Sequence, residues 1–537
     1  MQQGVPPRRA LAELRRESWM IWKPQSPAFK SLLDALSTET TALYVVGGAV
    51  RDFFIRRGQQ TAPAKVTDID LIVEHDALEV ARRAADRCGW AYYPMDPVRE
   101  VARLVFTASS PALVCDISTL RGGAIAADLL TRDFTINAIA VAWRHGPVGP
   151  PIDPTGGLDD IAARLLRRVS PGCMAEDPVR VLRAVRLATQ LGFTIEEQTS
   201  LQLLRMGSTL RLVSAERIRD ELWKIVTGQQ PVAGLAALLR YGLLRPTLPE
   251  VADLEGVAQT APHVFPVLRH TLEAVNHAQQ MRQWLKGEPV TSDHPGTADW
   301  QAALAPLLFR LREHFLAEVA GERLRADWLP WYALLHDVGK AVTRTEEITA
   351  AGALRYRFFD HETVGARLAA ARLDALRFSR FEVDLVAAVV AAHMRPHHLH
   401  DMFPDAPISR RASFRFFRDA DARQHTLLAG VDTVLLAIAD YLAISGATLP
   451  WDWPAYLEHA VQLLTYALDA QGLQQAVQPV IDGHTLMQYF SLQPGRQVGA
   501  LLASIQEAQA AGEVASPQDA LALAATLLTE GTGGAAR

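Results

Sequence analysis

The sequence lacks the features of a membrane protein or of a disulfide-bonded secreted protein. Its best candidate for an apolar span, residues 386–392, is far shorter than the ~18 residues that cross a bilayer. The first 19 residues are polar and carry arginine, without the apolar core of a secretory signal. Only three cysteines occur, and their wide spacing does not suit a metal site; they are Cys88, Cys115 and Cys173. We therefore predict a reduced, cytoplasmic protein with no membrane partner.

An excess of positive charge is also missing, because the net charge of the 537 residues is −5. Proteins that bind nucleic acid through their overall charge are basic, so any RNA contact here must come from a local basic surface. The hydrophobic content of 49% and the charged content of 21% are ordinary for a globular protein. The length predicts about three or four domains.

What is present begins with a strand, a glycine turn and a helix, followed by a second strand with two carboxylates. The first stretch is LYVVGGAVRD at 43–52, and the second is TDIDLIV at 67–73. Asp68 and Asp70 alternate along a strand and so share one face, where a divalent cation would relieve their repulsion. Gly47 and Gly48 let backbone N–H groups approach a phosphate ahead of a helix N-terminus. The combination predicts a metal–triphosphate site, although each half alone also fits a tight turn or a solvated strand.

The pattern of strands and helices continues to about residue 148, and the rest of the chain is helical. The predicted fold class is therefore α+β, with a small mixed sheet followed by helices. Asp116 lies in a further predicted strand, within VCDISTLR at 114–121. It is a candidate third carboxylate beside the first two, or else a lone aspartate at a strand end.

These motifs carry a resemblance to a known family. GGAVRD followed by DID, LTRDFTINAIA at 130–140 and DPTGGLDD at 153–160 resemble class II tRNA nucleotidyltransferases and poly(A) polymerases, with Thr131 in place of an arginine. The resemblance implies a polymerase-β-like head that holds Mg²⁺ on Asp68 and Asp70, with Asp116 assisting catalysis. It also implies nucleotide binding by Gly47, Gly48, Arg51, Arg132, Asp133 and Asn137. Arg132 would contact the triphosphate, while Asp133 and Asn137 would brace the sugar or a local turn. The structural alternative is that Asp133 only caps a helix.

The string EDPVR at 176–180 resembles the motif by which this family selects its nucleotide. Asp177 would accept a hydrogen bond from the exocyclic amine of C or A, and Arg180 would donate to the neighbouring ring acceptor. Arg183 and Arg186 continue the same helical face and could hold phosphate or the RNA backbone. The alternative is structural: Asp177 would cap a helix that has Pro178 at its first position.

A second predicted site combines histidines and aspartates from separate helices. His270, the pair His336–Asp337, and Asp440 occur in an order that resembles the HD phosphohydrolase family. His361 and His393 are further, less firmly assigned members of the set. Such a group can hold a divalent metal for phosphate-ester hydrolysis. The alternative for a single histidine is a satisfied core or surface residue.

The predicted domains are an extension (1–40), the head (41–150), a neck for nucleotide selection and RNA binding (151–255), an HD domain (256–450) and a helical tail (451–537). The predicted function is the addition of CMP, or of CMP and AMP, from CTP and ATP to the 3′ end of tRNA. No nucleic-acid template and no obligate protein partner are inferred.

The segment between Asp116 and Arg132 favours CC addition over CCA addition. It is short, whereas the family members that build complete CCA carry a longer flexible loop there. Full CCA addition, A addition and poly(A) polymerisation are alternatives, the last disfavoured by a tail that is not basic. An HD phosphohydrolase with an inactive head, or a non-catalytic RNA-binding protein, would be the alternatives of another class.

Overall fold

The computed structural model describes residues 24, 26–58, 66–109, 111–321, 323–350, 352–404, 406–420, 429–469 and 479–533. The chain divides into two compact units, the first ending at Val213 and the second beginning at Ser214. Most of the predicted N-terminal extension lies outside the described residues. The division into five domains stays a prediction.

The first unit contains a seven-stranded sheet in the order β3-β4-β5-β2-β1-β6-β7. Strands β2 and β5 are parallel, and the other neighbouring pairs are antiparallel. Its elements in chain order are α1 (Pro27–Glu39), β1 (Leu43–Val46), α2 (Gly48–Gly58), β2 (Asp68–Val73), α3 (Ala77–Cys88), β3 (Ala91–Asp96), β4 (Val101–Phe106), β5 (Leu113–Thr119), α4 (Ile125–Leu129), β6 (Ala140–Trp143), β7 (Pro147–Ile152), α5 (Gly157–Ala163), β8 (Leu165–Leu166), α6 (Cys173–Glu176), α7 (Arg180–Leu191), β9 (Thr194–Ile195) and α8 (Glu197–Met206).

Alternation along the strands separates the two faces of this sheet. Ile69, Leu71, Cys115 and Ile117 are fully buried on the face that packs against α3. The intervening positions of β2 and β5 place the aspartates on the other face. The apolar burial of one face therefore fixes where the acidic side chains project.

The second unit is almost entirely helical. Its long helix α13 packs against α16 and α22, and α18 packs against α19. The elements are α9 (Ala215–Val226), α10 (Pro231–Arg240), α11 (Leu244–Thr247), α12 (Pro249–Ala252), α13 (Val267–Lys286), α14 (Pro295–Leu304), α15 (Leu308–Phe315), β10 (Glu318–Ala320), β11 (Arg323–Leu324), α16 (Leu329–Leu335), α17 (Lys340–Thr343), β12 (Arg344–Ile348), β13 (Leu354–Phe358), α18 (His361–Ala375), α19 (Arg380–Ala392), α20 (Arg395–Met402), α21 (Arg410–Ala420), α22 (Ala429–Ala443), α23 (Trp453–Leu468), α24 (Gly483–Phe490), α25 (Arg496–Ala511) and α26 (Pro517–Gly533).

The predicted fold class is confirmed, since a mixed sheet with helices precedes a helical remainder. The last three helices share a small core that includes Leu486, Leu501, Ile505 and Ala524. Within the described ranges, no helix has the length and apolar character needed to span a bilayer.

Candidate active site and candidate metal centre

Three aspartates lie on one face of the sheet in the first unit. Asp68 and Asp70 alternate on β2, and Asp116 on the parallel strand β5 is the register partner of Asp70. Burial and the charge of Asp68 raise the pKa of Asp70 to about 6, against the lowering effect of Arg132. A cation at this position would favour the ionised carboxylate.

Asp116 is held by a residue that the sequence analysis missed. Arg103 on β4 is its register partner and donates two hydrogen bonds of 2.8 Å, one to each carboxylate oxygen. Such a bidentate pair is strong and directional. The alternation of VARLVF shows that Arg103 shares a face with Val101 and Val105, but only the register of β4 against β5 shows that this is the acidic face. The negative charge of Asp116 is therefore paired with the guanidinium of Arg103, although Asp116 is also the register partner of Asp70.

The glycine turn closes tightly over this face. Gly47 adopts φ +76°, and a Cβ built there would lie 2.4 Å from Oδ2 of Asp70. The same position is 3.6 Å from Nη1 of Arg132. A side chain at Gly47 would be strained by the positive φ and would force the carboxylate of Asp70 to shift, so this position favours glycine. Gly48 begins α2 directly after the turn.

The remaining predicted head residues form one hydrogen-bonded chain. Arg51 Nη1 donates to Oδ1 of Asn137 over 2.9 Å, and Nδ2 of Asn137 donates to Oδ1 of Asp133 over 3.1 Å. Arg183 Nη1 donates to Oδ2 of Asp133 over 3.2 Å. Burial alone would raise the pKa of Asp133, but the charge of Arg183 and the hydrogen bonds from Asn137 and the amide of Phe134 outweigh it, and the pKa is lowered. These contacts agree with the bracing of a local turn, and a contact of Asp133 or Asn137 with the sugar stays a prediction.

The helix that follows the EDPVR string begins later than expected. Helix α7 starts at Arg180 with Val179 as its N-cap, so the expected start at Pro178 is wrong. Residues 177–179 instead form a turn, in which the amide of Arg180 donates to the carbonyl of Asp177 over 3.1 Å. A proline suits a turn as well as a first helical position, which explains the misplacement. Asp177 is therefore not the N-cap of α7.

Arg180, which follows this turn, is hydrogen-bonded to backbone carbonyls of earlier segments. Its Nη1 donates to the carbonyl of Cys173 over 3.0 Å, and its Nη2 to that of Thr131 over 3.2 Å. Its Nε lies 4.0 Å from Oδ2 of Asp177. These contacts hold the guanidinium near the carboxylate of Asp177, and the role of the pair in base reading stays a prediction.

In the second unit, four predicted residues meet in the interior of the helical bundle. Nε2 of His270 lies 2.8 Å from Oδ1 of Asp440 and 3.6 Å from Oδ2 of Asp337. Nε2 of His336 lies 3.2 Å from that oxygen of Asp337 and 3.4 Å from Oδ1 of Asp440. All four side chains are buried. The structure therefore collects residues from α13, the end of α16 and α22 at one point.

His361 and His393 join the same cluster through the other oxygen of Asp337. Their Nε2 atoms lie 3.5 and 3.8 Å from Oδ1 of Asp337 and 3.3 Å from each other. Their Nδ1 atoms lie 2.8 and 2.7 Å from the carbonyls of Phe358 and Val390. A carbonyl accepts only from N–H, so each Nδ1 carries the proton and each Nε2 lone pair is left for the cluster.

The electrostatics of the cluster favour a positive charge at His336, whereas burial lowers the pKa values of His361 and His393. Burial alone would lower the pKa of His336, but Asp337 and Asp440 raise it to about 10. Although burial opposes ionisation, the pKa values of both aspartates fall well below the ordinary range, chiefly because of the charge of His336. Imidazole nitrogens with carboxylate oxygens suit a divalent transition metal.

The described ranges contain two groups of three ligand-type residues whose donor atoms lie within 4.8 Å of one another. Both are in this cluster, and Asp337 belongs to each; they are His270, His336 and Asp337, and Asp337, His361 and His393. The donor set therefore fits a divalent metal at this point in the bundle.

Two neighbours of the cluster were not foreseen from the sequence. Lys340 Nζ lies 2.8 Å from Oδ2 of Asp337, one helical turn along the chain. Nε2 of His397 lies 3.0 Å from Oδ2 of Asp440, and its Nδ1 lies 3.1 Å from the hydroxyl of Tyr456. The sequence could have predicted the contact of Lys340 with Asp337, because the two residues are three positions apart. It could not have predicted the contact of His397 with Asp440, because that contact depends on how α20 packs.

Family models match three parts of the chain. The poly(A) polymerase head domain matches residues 98–167, and the probable RNA- and SrmB-binding site of polymerase A matches residues 192–254. The HD domain matches residues 267–443, which contain the whole histidine–aspartate cluster.

Similar proteins extend over nearly the whole chain. A CC-adding tRNA nucleotidyltransferase of Thermus thermophilus is 33% identical over 485 residues, covering 89% of this chain and 92% of the relative. An A-adding tRNA nucleotidyltransferase of Deinococcus radiodurans is 31% identical over 483 residues, covering 89% and 94%. The structure of a CCA-adding enzyme with ATP shares the fold, with a TM-score of 0.58 at 20% identity and coverage of 94% and 96%. The chain thus belongs to the tRNA nucleotidyltransferase family, whose members are enzymes that transfer nucleotidyl groups.

Proposed function

We propose that the first unit transfers CMP from CTP to the 3′ end of tRNA and stops after two additions. The observation that carries the reaction type is the packing of Asp70 against the Gly47 turn, with Arg132 beside both. The closeness of a carboxylate, a glycine turn and a cationic side chain supports a site that binds a metal ion and a triphosphate. Mg²⁺ bound there by Asp68 and Asp70 would neutralise the triphosphate and lower the pKa of the attacking hydroxyl.

Each part of the site has a proposed role in binding and selection. The backbone at Gly47 and Gly48 and the guanidinium of Arg132 hold the triphosphate, because N–H donors and a planar cation suit phosphate oxygens. Asp177 and Arg180 read the base edge. U and G present the opposite donor and acceptor pattern, which leaves a buried group unpaired at about 1–3 kcal/mol per group.

The braced chain from Arg51 to Arg183 holds this site in shape. Its hydrogen bonds connect α2 to Asp133 and Asn137, and these residues to α7, the helix that follows the turn at residues 177–179. We assign these residues to nucleotide binding through positioning. Asp116, which is paired with Arg103, would assist Asp68 and Asp70 in catalysis on the same face of the sheet.

The restriction to two C residues rests on the segment between Asp116 and Arg132. This segment contains the short helix α4, whose Leu129 is fully buried. Asp128 is buried as well and accepts a 3.2 Å hydrogen bond from the amide of Arg121. A segment anchored in this way does not provide the mobile lever that would reshape the pocket from C to A. CC-adding and A-adding relatives are almost equally similar, so overall similarity does not decide between them.

The test is nucleotide addition to tRNA transcripts of defined 3′ ends. With a transcript that ends before CCA, we expect two C residues from labelled CTP, and no further A when ATP is added. The control is the Asp68→Ala/Asp70→Ala double variant, which should add nothing. Efficient addition of a terminal A to a transcript ending in CC would contradict the proposal and favour a CCA-adding or A-adding enzyme.

For the second unit, we propose that the histidine–aspartate cluster binds a divalent transition metal and cleaves a small phosphate ester. The support is the buried donor set, in which Asp337 belongs to both groups of three ligand-type residues. Each predicted domain then has its own proposed role. The head (41–150) catalyses transfer, the neck (151–255) selects the nucleotide and binds RNA, and the HD domain (256–450) binds the metal. We further propose that the enzyme acts in the cytoplasm with tRNA and CTP as its substrates; ATP, the other nucleotide predicted from the sequence, would be used only by an enzyme that also adds A.

A further inference from the structure

A row of paired residues continues the acidic face of the first unit's sheet to its outer edge. Asp70 on β2 pairs with Asp116 on β5, Asp116 with Arg103 on β4, and Arg103 with Tyr93 on β3. Residues directly opposite each other on neighbouring strands project from the same face of a sheet. Tyr93, Arg103, Asp116 and Asp70 therefore form a continuous row on the face of the candidate active site.

The outer half of this row is open to solvent. Tyr93 is 51% exposed on the edge strand, and the side chain of Arg103 is 42% exposed even though it is bonded to Asp116. The bidentate bonds to Asp116 orient the guanidinium but engage only its Nε and one terminal nitrogen. An exposed aromatic ring beside an oriented cation is the combination that binds single-stranded nucleic acid.

The geometry of phosphoryl transfer indicates which substrate lies over Tyr93 and Arg103. Attacking and leaving oxygens must lie roughly in line on opposite sides of the reacting phosphorus. The groups suited to the leaving pyrophosphate, the Gly47 turn and Arg132, lie on the β1 side of β2. The strand that brings the attacking hydroxyl must therefore approach from the β5 side, over Asp116 and Arg103.

We propose that Tyr93 and Arg103 bind the 3′-terminal nucleotide of the acceptor RNA, with Tyr93 stacking on its base and Arg103 contacting its phosphate. This inference rests on the proposed transfer function and extends it to the position of the acceptor. Stacking tolerates any base, because every base has a π-face. That tolerance suits an acceptor whose terminal base changes after each addition.

The experiment compares four variants in steady-state CMP addition and in equilibrium tRNA binding. Tyr93→Ala should raise the KM for tRNA roughly 5- to 150-fold, the range expected for losing one stacked base. Tyr93→Trp should restore it, because the larger ring still stacks. Arg103→Gln should raise the KM for tRNA and reduce the salt dependence of binding by about one phosphate contact. The KM for CTP should stay within about twofold in Tyr93→Ala.

Arg99→Gln is the matched control for charge. Arg99 lies in the turn between β3 and β4, its side chain is 73% exposed, and its Nε lies 3.7 Å from Oδ2 of Asp96. It should leave tRNA binding nearly unchanged. An equal effect of Arg99→Gln and Arg103→Gln, an unchanged KM for tRNA in Tyr93→Ala, or a parallel rise in the KM for CTP would each overturn the proposal. Melting curves confirm that each variant is folded.

The binding measurement separates failure of this inference from failure of the proposed function. If the wild-type protein adds CMP but Tyr93→Ala binds tRNA normally, only the acceptor position is wrong. If the wild-type protein binds tRNA but adds nothing, the transfer proposal fails, and the binding of the variants still decides the role of Tyr93 and Arg103. Absence of tRNA binding by the wild-type protein overturns both.

Discussion

At the scale of single residues, the carboxyl group of Asp70 links the stability of the first unit to pH and to metal binding. Its pKa of about 6 in the folded protein exceeds the ordinary value of 3.8, chiefly because of burial. Between these two values the folded state binds more protons than the unfolded state, so the stability that this group contributes is lost as pH rises through about 6. A bound divalent cation would compensate for that loss by pairing with the ionised carboxylate.

We therefore expect Mg²⁺ to raise the melting temperature of the protein more at pH 8 than at pH 5. Asp70→Asn should largely remove the difference, because an amide neither ionises nor binds Mg²⁺ strongly. Asp86→Asn, at an exposed position on α3, is the matched control and should keep it. Thermal unfolding with and without Mg²⁺ at the two pH values measures the effect. Equal shifts at both pH values would show that Asp70 does not hold the ion.

At the scale of elements, the start of α7 distinguishes a capping role from a selecting role for Asp177. A side chain that caps a helix contributes about 0.5–2 kcal/mol to stability. Val179 is the N-cap and the helix begins at Arg180, two positions beyond the start that the capping alternative requires, which favours the selecting role. The position of Asp177, 4.0 Å from Arg180, suits the reading of a base edge.

Asp177→Ala should accordingly relax discrimination against UTP and GTP more than it lowers turnover with CTP. Its free energy of unfolding should fall by less than the usual loss on removing a cap. Incorporation assays with each nucleotide in turn, together with a denaturant titration, measure both effects. Unchanged selectivity with a loss of ~1–2 kcal/mol would assign the residue a structural role instead.

The elements also show what the sequence could and could not predict. Strands β1, β2 and β5 were predictable because alternation and the double glycine are local signals, and they lie where expected within one or two residues. The Arg103–Asp116 pair was not, since it depends on the register of two strands. His397 was missed for a similar reason, because its contact with Asp440 spans 43 positions of the chain. Local patterns identify ligand types, whereas packing decides which of them are paired.

At the scale of the whole molecule, each candidate centre is built entirely within one compact unit. The aspartates of the sheet, the glycine turn and the selecting residues precede Val213, and the histidine–aspartate cluster follows Ser214. Each unit also has its own buried core, exemplified by Ile69 and Cys115 in the first and by Trp328 and Trp331 in the second. Substitutions in different units that share no partners are expected to act independently.

The double variant His336→Ala/Asp337→Ala should lose its bound transition metal and any phosphoesterase activity, while adding CMP to tRNA at a rate near that of the wild-type protein. The physical reason is that Asp337 contributes to both candidate ligand groups, so its removal dismantles the centre without touching the sheet. Metal analysis, hydrolysis of model phosphate esters and CMP addition are measured on the same preparation. Because both side chains are buried, the more conservative Asp440→Asn is tested in parallel to separate ligand loss from misfolding. Loss of CMP addition in both variants, with intact melting curves, would show that the two centres are coupled.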